Sequence, residues 1–345
     1  MPRSITPVKP KLRTRHAAVD LHCHGGYGVD LMGFPTFRDL DLVCSRLGRD
    51  GVGGWVPTTL STSMDQLLKT VAHLGQWIHA HRKSRYGSLP PHASLPLGLH
   101  IEGPFLNPRA AGAHSPGTLQ PAKLPLLEAL WEQSRETIPI LTLAPEIHPK
   151  SLLVKIGVWA RKRKIRLSIG HTCATKSECR FAFEQAGFSQ VTHAFNAMGF
   201  HHRETGPLGA AIARPDIFIE VIPDGIHIDP DLAHWLSRLH PDGICLVSDS
   251  TPASGTPPGT SHSFGPLKVT IQENASRVVG SQILAGGGLN LAKTYRNWIA
   301  GLSTHSTAAQ KRELIRATEN GVHQNPLRAL GLTTRIIKGK NKISL

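Results

Sequence analysis

Between residues 17 and 249 the chain repeats one pattern, a short run of apolar and β-branched residues followed by a longer stretch with helical spacing. The runs are AAVDLHCH (17–24), GVGGWVPTT (51–59), LPLGLHIEG (95–103), IPILTLAPE (138–146), KIRLSIGH (164–171), SQVTHAF (189–195), DIFIEVIPDG (216–225) and DGICLVSD (242–249). Amphipathic stretches such as MDQLLKTVAHLGQWIHAHRK, KLPLLEALWEQSRE, PKSLLVKIGVWARKR and KSECRFAFEQAG lie between them. Strands alternating with helices form right-handed crossover units and a parallel sheet. Eight units in this span predict an α/β fold, a (β/α)8 TIM barrel. The rival, an open doubly wound sheet, wants a GxGxxG loop after the first strand, and HCHGGYG lacks that spacing. The expected organisation is a basic tail over 1–16, the barrel over 17–331 and a basic tail over 332–345. A Pro/Gly-rich segment at about 250–285 reads as a hairpin or flap over the barrel.

Polar residues fall at the ends of these runs. His22 and His24 end the first, Glu102 the third, Glu146 the fourth and His171 the fifth; His193 lies near the end of the sixth. Asp224 and His227 follow the seventh, and Asp249 closes the eighth. A barrel gathers all of these on one face, where such folds keep their active sites. His22 and His24, two apart on a strand, face the same way and can grip one ion. Glu102, His171 and His193 offer three ligands from three further strands. Imidazole with carboxylate suits zinc or iron, and such an ion lowers the pKa of a coordinated water towards about 7. With Asp249 opposite as proton acceptor, the chemistry is hydrolysis of a polarised carbonyl such as an amide. His100, Glu146, His201 and His202 read as supporting residues, and His73, His79 and His81 as a solvated helical set.

Composition narrows this further. Five cysteines without CxxC spacing argue against a disulfide framework, and no run approaches the ~18 apolar residues of a membrane span. The expected location is the cytoplasm, with no membrane partner. The net charge of +15 invites a nucleic-acid reading. Five basic residues in 1–16 and five in 328–345, with no acidic ones, leave about +5 for the body. RKRKIR at 161–166 carries no interleaved aromatics. Nucleic acid is therefore not an expected partner, whereas an anionic small substrate is compatible.

The segments DLHCHGGYGVD, GLHIEGPF with GAH, TLAPE, IGHT, THAFNAM with HHRETG, PDGIHI, LVSD and LAGGGLNL, in this order over 19–290, resemble the N-acetylglucosamine-6-phosphate deacetylase family of the amidohydrolase superfamily. The resemblance implies a metal-dependent barrel that deacetylates a small phosphorylated amino sugar in its catabolism. It implies Glu102, His171 and His193 as the main metal site, and His22 and His24 as ligands of a second ion, with Glu102 bridging and Asp249 contributing. Members use one or two ions, zinc or iron. Asp249 matches the catalytic proton acceptor and donor, and His114 the residue that polarises the acetyl carbonyl. Ala113, Asn196, Ala197, Arg203, Asp224, Gly225, Ile226, His227, Leu284, Ala285 and Gly286 match substrate contacts. An arginine at the Arg203 position reaches across a dimer interface in the family, so a homodimer is implied. The family's small β-sandwich is expected to be absent or vestigial here. RETG for the usual REPG leaves the exact sugar open. The alternatives are another N-acyl sugar or N-acyl amino acid as substrate, or a catalytically degenerate barrel that only binds.

Overall fold

The computed structural model describes residues 17–84, 86–302, 307–337 and 340–344, and in it the eight runs form parallel strands. These are β1 (Ala18–Cys23), β2 (Val52–Pro57), β3 (His100–Glu102), β4 (Ile140–Leu143), β5 (Arg166–Ile169), β6 (Gln190–Val191), β7 (Phe218–Val221) and β8 (Ile244–Leu246). Pairing follows chain order from β3 to β8, and β1 pairs with β2. The third run divides: Leu95–Pro96 pairs with β2, and His100–Glu102 pairs with β4. Gly98 separates the two pieces with φ of 147°, a conformation open to glycine. A bridge from Thr58 to His100 joins β2 to β3. At the other end, the Asp249 N–H donates to the His22 carbonyl at 2.9 Å, and the His24 N–H donates to that of Ser250 at 2.8 Å.

Helices α1 (Phe37–Asp50), α2 (Met64–Lys83), α3 (Leu124–Gln133), α4 (Lys150–Lys162) and α5 (Lys176–Gln185) occupy the amphipathic stretches. Thr36 and Thr175 open α1 and α5 with reciprocal capping boxes to Asp39 and Glu178. The large core, including Trp55, Leu67, Leu74 and Trp77, lies between strands and helices. His81, expected in solvent, is buried instead, because Asp41 of α1 accepts both its Nε2–H at 2.8 Å and the Trp77 indole N–H at 2.9 Å.

A second apolar cluster joins Val19, Leu21, Ile140, Phe218, Cys245 and Val247 to Leu327 and Ala329 of the helix Gln324–Ala329. Residues two apart on a strand share a face. Above Ile140 and Phe218 on that face therefore stand Thr142 and Glu220. In β1 a register shift between Asp20 and Cys23 interrupts the alternation where the histidines begin.

Beyond β8 the expected hairpin is a four-stranded antiparallel sheet: β9 (Ser261–Phe264), β10 (Leu267–Gln272), β11 (Ala275–Val278) and β12 (Leu284–Gly287). The Gly287 N–H ties it back to the Asp249 carbonyl at 2.7 Å. Within the segment expected as a C-terminal tail, Thr333–Ile337 and Lys340–Ser344 pair as an antiparallel hairpin. The expected tail over 1–16 lies outside the described residues. Among the described residues no helix is long and apolar enough to cross a membrane.

Candidate active site

Glu102, at the end of β3 and 2% exposed, is the centre of the cluster. Its Oε1 lies 3.0 Å from His193 Nε2 and 3.3 Å from His171 Nε2, and these two nitrogens are 3.1 Å apart. Its Oε2 faces the other way, 3.2 Å from His24 Nε2 and 3.4 Å from His22 Nε2. Asp249 Oδ1 completes that second group, 3.2 Å from His24 Nε2 and 3.4 Å from His22 Nε2. His171, His193 and Asp249 leave their strands with φ of 46°, 26° and 48°. Such left-handed backbone costs on the order of 1–3 kcal/mol per residue and concentrates at functional sites.

The far nitrogens show what the near ones can do. His171 Nδ1–H donates to the Ala110 carbonyl at 2.9 Å and His24 Nδ1–H to that of Thr58 at 3.2 Å. His22 Nδ1–H donates to Glu220 Oε2 at 3.0 Å. A neutral imidazole carries one proton, so with these donors engaged each Nε2 presents a bare lone pair. The His22 and His24 Nε2 atoms nevertheless approach to 3.1 Å, an arrangement that calls for a cation between them. Zinc–ligand distances of about 2.0–2.2 Å in a tetrahedron place ligand atoms about 3.3–3.6 Å apart, and the 3.0–3.4 Å spacings of both groups lie at and just below the short end of that range. The residues fit a divalent metal.

Electrostatics agree. Among the described residues, the ion pairs of Glu102, Asp249 and Glu220 are all with histidine. Burial opposes ionisation of Asp249, but positive charge at His22 and His24, the place a cation takes when both rings are neutral, holds its carboxyl down at about 2. Glu102 is likewise held well below the carboxylate range, its burial outweighed by positive charge at His22 and by the His114 Nε2–H. For His114, burial lowers the pKa to about 4, so the ring is neutral at pH 7. Its Nδ1 accepts the Ser61 backbone N–H at 3.2 Å. That leaves the proton on Nε2, which points into the site 3.5 Å from Glu102 Oε2.

A cavity of about 140 Å³ opens over the cluster. Of the expected substrate residues, Ala113, Asn196, Ala197, His227, Leu284, Ala285 and Gly286 line it. At Gly286, with φ of 135°, a Cβ would strike the Asp249 carbonyl. Asp224 supports His227 from behind, its Oδ1 accepting the Ile226 and His227 N–H groups at 2.9 and 2.8 Å and its Oδ2 the His227 Nδ1–H at 2.6 Å. Gly225 and Ile226 form that turn without lining the cavity. Arg203 stands exposed on the turn bridged by His201 and Glu204, outside the lining of its own chain's cavity. Glu146 anchors a loop by accepting from Asn107, Thr172 and the Cys173 N–H.

Three contributors escaped the sequence reading. Leu60 and Phe264 line the cavity, the Phe264 ring standing edge-on to His24 with centroids 5.1 Å apart. Glu220 lies behind His22. An acid flanked by Phe218 and Ile222 on one strand face was its available signal.

A mixed α/β fold with a histidine–carboxylate cluster able to hold a metal ion at its strand ends defines a metal-dependent amidohydrolase. The chain belongs to the N-acetylglucosamine-6-phosphate deacetylase family. It is 34% identical over 282 residues to the N-acetylglucosamine-6-phosphate deacetylase of Bacillus subtilis (strain 168), a match covering 81% of this chain and 68% of that protein. It is 30% identical over 324 residues to the N-acetylgalactosamine-6-phosphate deacetylase of Escherichia coli O157:H7, covering 92% of this chain and 78% of that one. The crystal structure of N-acetyl-D-glucosamine-6-phosphate deacetylase from Mycobacterium smegmatis superposes with a TM-score of 0.78 at 25% identity, covering 92% of this chain and 78% of the other. No protein-family model matches the chain.

Proposed function

We propose that this protein hydrolyses the acetamide of N-acetylglucosamine 6-phosphate to glucosamine 6-phosphate and acetate, in amino-sugar catabolism. The observation that carries the reading is the meeting of both Glu102 oxygens with two groups of imidazole nitrogens beside Asp249. Glu102, His171 and His193 would hold one ion, and His22 and His24, with Glu102 and Asp249 beside them, would hold a second. Zinc or iron, when bound, supplies Lewis acidity and lowers the pKa of the attacking water. Asp249 takes the proton of that water as the new C–O bond forms. It returns the proton to the amine nitrogen as the C–N bond breaks. His114 donates its Nε2–H to the amide oxygen as charge grows there.

Ala113, Asn196, Ala197, His227 on its Asp224–Ile226 turn, and Leu284–Gly286 surround the sugar. Arg203 pairs the phosphate, a fit for a planar guanidinium, from the partner subunit of a homodimer. Its exposure outside its own chain's cavity supports that arrangement. The strands are read as a closed (β/α)8 barrel over 17–331, supported by the bonds between β1 and the end of β8. The expected compartment is the cytoplasm.

N-acetylgalactosamine 6-phosphate is the second reading, favoured by the Escherichia coli relative that matches 92% of the chain. The test is acetate release from both phosphorylated sugars and from N-acetylglucosamine, by protein stripped of metal and reloaded with zinc or iron. Metal-dependent release favouring N-acetylglucosamine 6-phosphate is expected. Preference for the galactosamine epimer selects the second reading, and metal uptake without turnover of any of the three overturns both.

A further inference from the structure

We infer that Glu220 is a positioning residue that makes the His22–His24 pair a metal site, and so sets the ion count at two. The inference rests on the reading above that this pair holds an ion. Glu220 sits in β7 among Phe218, Ile219 and Val221, and its side chain is fully buried. Burying a carboxylate costs several kcal/mol unless its oxygens are satisfied. Here Oε2 accepts the His22 Nδ1–H at 3.0 Å and the His193 backbone N–H at 3.3 Å, and Oε1 accepts the Gln190 amide at 2.6 Å. Of these three partners, the one that is a ligand side chain is His22.

Behind the ligands the support is unequal. His24 and His171 lean on backbone carbonyls, whereas His22 leans on a full negative charge. A carboxylate behind a ligand imidazole fixes its tautomer and raises the basicity of the nitrogen that faces the metal. Charge balance points the same way. Glu102, Asp249 and Glu220 bring three carboxylates into a buried cluster, and among the described residues they pair with histidine alone. One divalent ion does not neutralise three. The third carboxylate stands behind the pair, not behind His171 or His193 side chains.

The experiment is calorimetric titration of the metal-stripped full chain with zinc chloride, comparing wild type, Glu220→Gln and Glu220→Ala, with thermal unfolding of each metal-stripped protein. Wild type is expected to take up two equivalents. Glu220→Gln keeps the shape and an acceptor but drops the charge. Its first equivalent should bind as in wild type and its second about tenfold more weakly, with about 100-fold for Glu220→Ala. A role in folding alone would weaken both equivalents together. Two equivalents at wild-type affinity in Glu220→Gln, or equal weakening of both, overturns the inference while leaving the two-ion reading intact. Should Glu220→Ala not fold, Glu220→Gln decides. A single equivalent in wild type overturns the two-ion reading itself, and the inference with it.

Discussion

The floor of the cavity and its rim are built on different principles. Floor residues stand on strand ends and are nearly sealed: His22, Glu102, His171, His193 and Asp249 are exposed by 8% or less. Their nitrogens and oxygens are held to 3.0–3.4 Å by backbone pairing and by partners behind them. The rim stands on loops and on the antiparallel sheet after β8. It brings Ala113, Asn196, His227, Phe264 and Leu284 together from distant parts of the chain. The difference teaches that the metal-ligand cluster and Asp249 belong to the sheet and the choice of substrate to its insertions, with His114 a reacting group supplied from a loop. If so, floor variants should lose kcat, and rim variants should alter KM or selectivity.

The largest effect is expected at Asp249. We predict that Asp249→Asn lowers kcat for N-acetylglucosamine 6-phosphate by about 10³-fold or more, the range for losing a general acid–base group. Zinc uptake at Glu102, His171 and His193 should survive. A kcat within tenfold of wild type would remove Asp249 from the chemistry and break the floor–rim distinction at its strongest point. Next comes His114, whose proton is fixed on Nε2 by the Ser61 N–H. His114→Ala should lower kcat by about 10²–10³-fold, as for the loss of one oxyanion donor, with little change in KM. Steady-state acetate release measures both; a rise in KM alone would make His114 a binding residue of the rim.

What the sequence disclosed follows the same division. His22, His24, Glu102, His171, His193 and Asp249 were legible because strand alternation and repeated βα units fix where run ends converge. Glu220 was not, since a lone acid in FIEVI reads as an outward residue until its neighbours Phe218 and Ile222 are seen to be buried. The division of the third run at Gly98 was hidden because LPLGLHIEG is apolar throughout. Leu60 and Phe264 reach the cavity through contacts that have no period in the sequence. The resemblance named most rim positions; it left Arg203 to be found exposed on its own chain.

Arg203 offers the third test, smaller than the first two. Hydrogen bonds to a charged group are worth about 1.5–3 kcal/mol. Arg203→Ala should therefore cost roughly 10–100-fold in kcat/KM for the phosphorylated sugar and leave the unphosphorylated sugar unchanged. Sedimentation velocity should show a dimer in both proteins. Equal losses on the two sugars, or a monomeric wild type, would sink the assignment of Arg203 to a partner's phosphate site.

The smallest effect on turnover should come from Phe264. Its ring is 1% exposed and packs with Met32, Leu60, Val269 and Ala285 in a small cluster beside the cavity. Leu60 precedes Ser61, whose N–H orients His114, and Phe264 touches His24, so the two apolar walls flank the groups that meet the amide. An acetyl methyl directed at this wall would feel its position, while the metal ligands would not. We predict that Phe264→Ala changes kcat for the acetyl substrate by only a few-fold. The N-propionyl analogue should gain about tenfold relative to acetyl, within the range one methylene is worth in an apolar pocket. The truncation should also cost about 3 kcal/mol in denaturant unfolding, as for a buried aromatic reduced to alanine. If stability falls but the propionyl-to-acetyl ratio stays put, Phe264 only packs the inserted sheet and the acyl group is bounded elsewhere. If kcat falls as far as in His114→Ala, the ring is holding His24 in place and belongs to the floor.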